Sequence, residues 1–319
     1  MQVVPLNAER QTPNVARASA PPVGIVVVNW CAPAATRRCL EAVARLAYPR
    51  RTLVLVDNGC ADFSAEAAAA SVPDATYLRT DDNLGFAGGA NHGMRAALAR
   101  GAEWIWFLNN DARPEPHALD ELVAVATGPP AAAIVGAKIL RGDQPEVLDS
   151  AALQVNLQTG RVRLLGHGEP DRGQYDDRSD PVAVTACAML VSRAACERFG
   201  GFDPDYFAYM EDADLCLRAR EAGLRVAFAP RARVLHDRAP ADRGRQSLAS
   251  LYYSTRNHLL LLQRHSPGPA WQRKLQELSV IALSTAYALR AGRPPWQAVQ
   301  AVQRGIADFR ANLVGPRAE

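Results

Sequence analysis

Six carboxylate or amide side chains and one histidine hold most of the chemical potential of this chain. Glu211, Asp212 and Asp214 crowd the segment Tyr209-Met210-Glu211-Asp212-Ala213-Asp214-Leu215, Asn109-Asn110-Asp111 closes an apolar run, and His236 follows Val234-Leu235. A divalent cation on a diphosphate needs hard oxygen ligands and accepts an imidazole. Activating an alcohol needs a carboxylate outside that shell, free to take a proton. Three carboxylates at a helix start sit where the dipole favours negative charge, and their mutual repulsion raises at least one pKa, which suits a base.

Alternating strands and helices must position these groups. Short β-rich runs predict strands at 24–29, 52–57, 75–79, 104–109 and 132–139, and alanine-rich runs predict helices at 34–46, 62–71, 87–100 and 116–127, with Pro33 and Pro116 in first turns. Continuously apolar stretches such as Ile25–Val28 and Ile105–Leu108 are those of strands covered on both faces of a mainly parallel sheet. Between Arg141 and Asp180 the pattern breaks into an expected irregular hairpin or loop over a site, and Val182–Val191 resumes the sheet. A helix at 212–222 ending at Gly223, a strand at 225–235, and helices at 247–264, 270–290 and 296–312 complete the reading.

A dinucleotide-binding domain would place its glycine-rich turn directly after the first strand. Here Asn29-Trp30-Cys31-Ala32-Pro33 occupies that position, and the glycines come after the third strand, in Asn83–Gly93. That placement argues against a nicotinamide cofactor. Backbone N–H groups at Gly85, Gly88 and Gly89 could meet an anion or a sugar hydroxyl closely, or the run could serve only to pack a helix on the sheet.

A net charge of +3 with arginines spread along the chain excludes a nucleic-acid role. With 48% hydrophobic and 22% charged residues the composition is that of a globular protein. The six cysteines lack paired metal spacing and read as reduced thiols of a cytoplasmic protein. Residues 1–21 lack an apolar core and read as a tail, and Leu278–Leu289 is too short to span a bilayer, so peripheral contact at the inner membrane face is the most a membrane role would involve.

Four blocks, in order, resemble glycosyltransferase family 2 and its bacterial rhamnosyltransferase-like branch: Val26–Trp30, Val54–Gly59, Asn83–Gly93, and Gly200-Gly201-Phe202-Asp203 running into Glu211–Leu215. The resemblance implies a GT-A type α/β fold over residues 22–245 with a helical appendage at 246–319. It implies an inverting transfer of a hexose, L-rhamnose from dTDP-L-rhamnose or a sugar from a UDP donor, to an acceptor hydroxyl on a lipid-linked saccharide, a protein or a small molecule. By correspondence Asn29, Asp57 and Asn58 line the base and ribose pocket, Asn83 and Asn91 touch the nucleotide, and Asn109, Asn110 and Asp111 occupy the position of an Asp-any-Asp motif. Asp111 and His236 would hold Mg²⁺ or Mn²⁺, with Asn109 standing where an aspartate is often found. Asp212 would be the base, Glu211 an acceptor-positioning neighbour and Asp214 a structural support.

Arg256, in a Tyr252-Tyr253…Arg256-Asn257 block, would bind phosphate or brace the appendage, and the loop after His236 would either close over the diphosphate through Arg238, Arg243 or Arg245 or remain a solvated loop. A sugar-nucleotide or glycan-binding protein without catalysis is the rival reading, resting on Asn109. A processive polysaccharide synthase would need several membrane spans and a Gln-any-any-Arg-Trp block, and neither is present. Apolar positions Leu248, Leu251, Tyr252, Leu259 and Leu262, followed by Val280, Ile281, Leu283, Tyr287 and Trp296, predict helices whose uncovered face mediates self-association as a homodimer or meets a membrane.

Overall fold

The structure, a computed structural model, describes residues 20–61, 66, 69, 70, 72, 75–237 and 247–317. The helix expected over 62–71 lies for most of its length outside the described residues, as do residues 1–19, the 245/246 boundary, and Arg238, Arg243 and Arg245.

The strands in chain order are β1 (Val23–Asn29), β2 (Arg51–Asn58), β3 (Thr76–Thr80), β4 (Trp104–Asn109), β5 (Ala112–Pro114), β6 (Ile134–Arg141), β7 (Gln144–Ser150), β8 (Ala152–Asn156), β9 (Arg161–Leu165), β10 (Ala188–Ser192) and β11 (Val226–His236). Nine of them form one sheet in the order β3-β2-β1-β4-β10-β6-β11-β5, with β7 paired on β6, while β8 and β9 form a separate hairpin. β1 to β4 run parallel, as do β6 and β11; β10 lies antiparallel between β4 and β6. All seven residues of β1 are buried, which explains its unbroken apolar run.

Helices cover both faces. α1 (Pro33–Ala44) and α3 (Ala118–Thr127) pack Leu40, Val43, Leu119 and Leu122 against Ile25, Leu55 and Trp106. On the other face α2 (Gly85–Ala99), α4 (Arg193–Phe199) and α5 (Glu211–Glu221) bury Ala90, Met94, Cys196 and Leu215 against Val26, Val54 and Phe107. The glycine run lets α2 lie close on this sheet face. A Cβ on Gly93 would stand 2.5 Å from Val26 Cγ1, and one on Gly89 2.9 Å from Val28 Cγ1. α6 (Leu248–His265), α7 (Ala270–Ala288) and α8 (Pro295–Arg310) share a third cluster, built on Leu251, Tyr252, Leu259, Val280 and Val302. α6 also sends Leu260 and Leu261 into the sheet-side cluster, so it packs against the catalytic layer directly.

Some elements differ from the sequence reading. The segment 141–180 contains β7, β8 and β9, whose alternation of charged and apolar residues, as in Arg161-Val162-Arg163-Leu164, suits a half-exposed hairpin. Strand β10 begins at Ala188, not Val182, because residues 185–187 turn. Pro116 lies outside α3: the helix starts at Ala118, and the Pro116 carbonyl accepts from Ala47 N at 2.8 Å.

Candidate active site

The strands that carry polar residues at their carboxyl ends open onto one cleft of about 730 Å³. Trp30, Asn58, Asn83, Gly85 and Phe86 line one wall, Asn109, Asn110, Asp111 and His236 another, and Glu211 and Asp212 a third. Phe207, Tyr209 and Tyr253 complete the apolar part of the rim.

The amides at the ends of β1 and β2 build the floor. Asn29 Oδ1 accepts from Thr36 Oγ1 at 2.7 Å, and Asn29 Nδ2 donates to Asp57 Oδ1 at 3.1 Å. Asp57 also accepts from Tyr77 Oη at 2.8 Å and pairs with Arg79, and both Asn29 and Asp57 are fully buried beneath the cleft surface. Asn58 and Asn83 fasten the next turn: Asn58 Nδ2 donates to Asn83 Oδ1 (3.0 Å) and to the Gly85 carbonyl (2.9 Å), and Asn83 Oδ1 accepts from Gly85 N. Gly85 itself has φ +70° and leaves no room for a Cβ beside the Phe207 carbonyl, so glycine is required there.

Not every sequence-predicted residue reaches the cleft. Asn91 is buried and spends its amide on Phe202, donating to its carbonyl (2.6 Å) and accepting from its N–H (2.9 Å). Gly88 and Gly89 pack against Leu84, Val28 and Asn58. Arg256 lies inside the helical cluster, donating to the carbonyls of Gly315 (2.7 Å), Asp205 (3.1 Å) and Tyr206 (3.3 Å), and is absent from the cleft lining. Of its two sequence-stated roles, the bracing one is what the geometry displays.

Asp111 and His236 face one another, His236 Nε2 standing 3.2 Å from Asp111 Oδ1, because β5 and β11 pair at His236↔Ala112. Asp149, which the sequence reading did not single out, lies 2.8 Å from His236 Nδ1 through its Oδ2. Burial opposes charge on His236, yet the Asp111 and Asp149 carboxylates outweigh it and raise the imidazole pKa to about 10. Among the described residues no group of three or more His, Cys, Asp or Glu is arranged to hold a metal ion. An oxygen donor and an imidazole side by side on the cleft wall nevertheless fit a hard divalent cation, which takes few protein ligands when phosphate and water complete its shell. Asp111 and His236 are the residues that would hold it.

Glu211 and Asp212 open α5. Asp212 Oδ2 accepts from Ala186 N (3.1 Å) and Oδ1 from Ala213 N (2.8 Å). Burial raises its pKa above the ordinary carboxylate value, while the N–H donors pull the other way. Glu211 is pushed well above the usual range, by burial first and by the neighbouring Asp212 charge second, and its Oε2 has no hydrogen-bond partner among the described residues. Asp214 turns away to Tyr206, Arg218 and His265 (3.1, 2.7 and 2.9 Å). Burial works against its charge, but His265 and Arg218 hold it below the ordinary value. The three carboxylates thus divide by surroundings: Asp212 lines the cleft on two backbone N–H donors, Glu211 lines it beside Asp212, and Asp214 is taken up by Tyr206, Arg218 and His265.

A cleft at the carboxyl ends of a mainly parallel sheet, lined by amides, carboxyl groups and aromatic side chains, is where an open α/β fold binds its ligand, and likeness to known proteins makes this one a nucleotide-sugar glycosyltransferase with a GT-A fold. The chain belongs to glycosyltransferase-like family 2, whose model matches residues 21–252. It is 29% identical over 264 residues to an N-acetylglucosaminyl-diphospho-decaprenol L-rhamnosyltransferase of Mycobacterium tuberculosis, covering 76% of this chain and 84% of that one. A galactofuranosyltransferase, GlfT1, of the same organism is 37% identical over 100 residues, 31% of this chain and 32% of its own. Solved structures share the fold: the mannosyltransferase PcManGT from Pyrobaculum calidifontis in complex with GDP-Man and Mn²⁺ (TM-score 0.56, 17% identity, 93% of this chain and 84% of that one), and S. aureus TarS in complex with UDP-GlcNAc (TM-score 0.55, 12% identity, 91% and 92%).

Proposed function

We propose that this enzyme transfers a hexose with inversion from a nucleoside diphosphate donor to an acceptor hydroxyl, with Asp212 as the base. The observation that carries the reading is the Asp212 carboxylate, held in the cleft by two backbone N–H groups and raised in pKa by burial. Asp212 takes the acceptor proton, the acceptor oxygen bonds to the anomeric carbon, and the bond from that carbon to the diphosphate oxygen breaks, releasing the nucleoside diphosphate. A cation held by Asp111 and His236, Mg²⁺ or Mn²⁺, would neutralise charge on the departing diphosphate. The chain's own part is to position the reactants: the amide wall of Asn58 and Asn83 receives the nucleotide, and Asp212 at the start of α5 fixes the line of attack.

The name of the mycobacterial relative supports L-rhamnose as the sugar, and the resemblance of the sequence blocks favours dTDP-L-rhamnose as its donor, ahead of a UDP-sugar. A donor panel of dTDP-rhamnose, UDP-glucose, UDP-N-acetylglucosamine and GDP-mannose, scored for nucleoside diphosphate release with and without EDTA, tests donor and cation together. The expected result is release from dTDP-rhamnose that EDTA abolishes and Mn²⁺ restores. Binding of a donor with no release under any cation would favour the non-catalytic reading, and EDTA-insensitive release would remove the cation.

The acceptor is delivered, we propose, at an anionic membrane surface through α7 and α8. Among the described residues no helix is long and apolar enough to cross a membrane. Trp271, Leu275 and Leu278 nevertheless recur along one exposed stripe of α7, exposed Leu289 follows its end, and Trp296 lies in the first turn of α8; the two tryptophans are 68% and 67% exposed. From Ser266 to Arg317 the chain has seven Lys or Arg against two acids, Glu277 and Asp308. Both acids are engaged, Glu277 by Lys274 and Arg310, Asp308 by Tyr252. An aromatic, apolar stripe flanked by excess cations complements an interface of anionic headgroups. Co-sedimentation should therefore show binding to phosphatidylglycerol vesicles and not to phosphatidylcholine, lost in Trp271→Asp/Leu278→Asp with nucleotide binding unchanged. Absence of vesicle binding would reject it, and a dimer in light scattering that the same variants dissolve would give the face to a second copy.

A further inference from the structure

Asp149 is a carboxylate that no sequence motif announces, in the first part of a segment expected to be irregular. The structure buries it, at 4% exposure, in β7. β7 pairs with β6, with Ser150 opposite Ile139, and β6 pairs with β11, with Arg141 opposite His236. This three-strand register brings Asp149 to the side of His236 that faces away from Asp111. The contacts form a line: Asp149 Oδ2 is 2.8 Å from His236 Nδ1, and His236 Nε2 is 3.2 Å from Asp111 Oδ1. Asp149 also meets His167, whose Nδ1 lies 3.3 Å from its Oδ1 and 2.9 Å from its main-chain oxygen. Side-chain exposure rises along the line, from 6% at Asp149 through 17% at His236 to 31% at Asp111.

We propose that Asp149 is the positioning residue for His236. An imidazole has two inequivalent nitrogens, and the hydrogen bond made by one decides what the other can do. Asp149 accepts the Nδ1 proton, fixes the ring plane, and leaves Nε2 directed at Asp111 and the cleft. Asp149 lines the cleft beside His236, and its contact with the ring is at Nδ1, so it acts on Nε2 through the ring. A buried carboxylate is costly unless paired, so its placement here is compensated by the two imidazoles. A carboxylate on the far nitrogen also increases the donor strength of the near one toward a cation. This inference rests on the reading of Asp111 and His236 as the pair that receives a divalent cation with the donor diphosphate.

The test is Mn²⁺ affinity in the presence of UDP or dTDP, followed by the electron paramagnetic resonance of free Mn²⁺, for the wild type, Asp149→Asn, Asp149→Leu and His236→Ala. Nucleotide binding without cation, on the same samples, reports whether the cleft is intact. Asp149→Leu should lower Mn²⁺ affinity by ~10- to 100-fold, the range seen when such outer partners are removed. Asp149→Asn, which keeps an acceptor oxygen for Nδ1–H, should lose less. A purely structural carboxylate would instead change thermal stability and leave Mn²⁺ affinity as it was. Loss of affinity in His236→Ala with wild-type affinity in both Asp149 variants overturns this proposal alone. Unchanged affinity in His236→Ala overturns the cation reading and this proposal with it.

Discussion

Replacing Asp212 with asparagine is expected to lower turnover by the ~10²- to 10⁴-fold typical of a lost general base while nucleotide binding persists. Asparagine keeps the shape and one acceptor oxygen, so it retains the bond from Ala213 N that opens α5 and gives up the one from Ala186 N. What disappears is the proton acceptor. Glu211→Gln is the matched control. Burial and the Asp212 charge raise the Glu211 pKa and so favour its neutral form, which glutamine mimics; turnover at neutral pH should stay within about tenfold of wild type. Stability should move in a definite direction. Because the folded pKa of Glu211 is raised above its unfolded value, its contribution to stability is full below the unfolded pKa and is lost as pH rises toward the folded one. Glu211→Gln removes that loss, so its melting temperature should gain on wild type from about pH 4 upward, the ordinary glutamate range. Should Glu211→Gln be the dead variant and Asp212→Asn the active one, the two roles exchange. The pH profile supplies a second check: Asp212 must be ionised to act, so activity should rise with pH through a value above the ordinary aspartate pKa.

Much of this site could be read before any coordinates because its residues end regular elements. Asn29, Asp57, Asn58 and Asn109 close continuously apolar strands, and in a parallel sheet such ends share one edge, so their convergence follows from topology. Asp111 and His236 meet for a related reason, since β5 is a three-residue return strand that lies on the end of β11. Asp149 could not be found this way. It lies in an edge strand of mixed polarity, Gln144–Ser150, and its place beside His236 depends on two successive strand pairings that no local pattern encodes. The glycine run shows the opposite difficulty. Its composition serves anion binding and close packing equally, and only distances such as the 2.5 Å from a Gly93 Cβ to Val26 reveal that packing needs it. Arg256 illustrates the same ambiguity for a cation: guanidinium groups bind phosphates and backbone carbonyls alike.

Asn257→Leu should cost on the order of 3 kcal/mol of stability and reduce turnover by roughly 10²-fold, although the side chain itself does not line the cleft. The turn before α5 holds three non-glycine residues at positive φ: Phe207 at 61°, Tyr209 at 71° and Met210 at 72°. Each such residue costs ~1–3 kcal/mol and persists only where surroundings compel it. The compulsion comes from α6. Asn257 Nδ2 donates to the carbonyls of Tyr206 (2.6 Å), Ala208 (2.6 Å) and Tyr209 (2.9 Å), Arg256 takes those of Asp205 and Tyr206, and Tyr253 stacks on Phe207 at 4.9 Å between centroids. Leucine fills a similar volume without a donor, leaving these carbonyls with fewer partners in a buried place. The turn would then relax toward ordinary dihedrals and carry Glu211 and Asp212, the next residues along, out of register with the cleft. The measurement is turnover and donor affinity below the variant's melting temperature, where the fold is intact. A loss confined to stability, with wild-type turnover in the folded fraction, would show that α6 braces the fold without setting the base. A fall in turnover with donor affinity preserved would place the control of Asp212 in the helix that follows it by some forty residues, and would explain why a helical segment without motif chemistry of its own is built into the catalytic layer through Leu260 and Leu261.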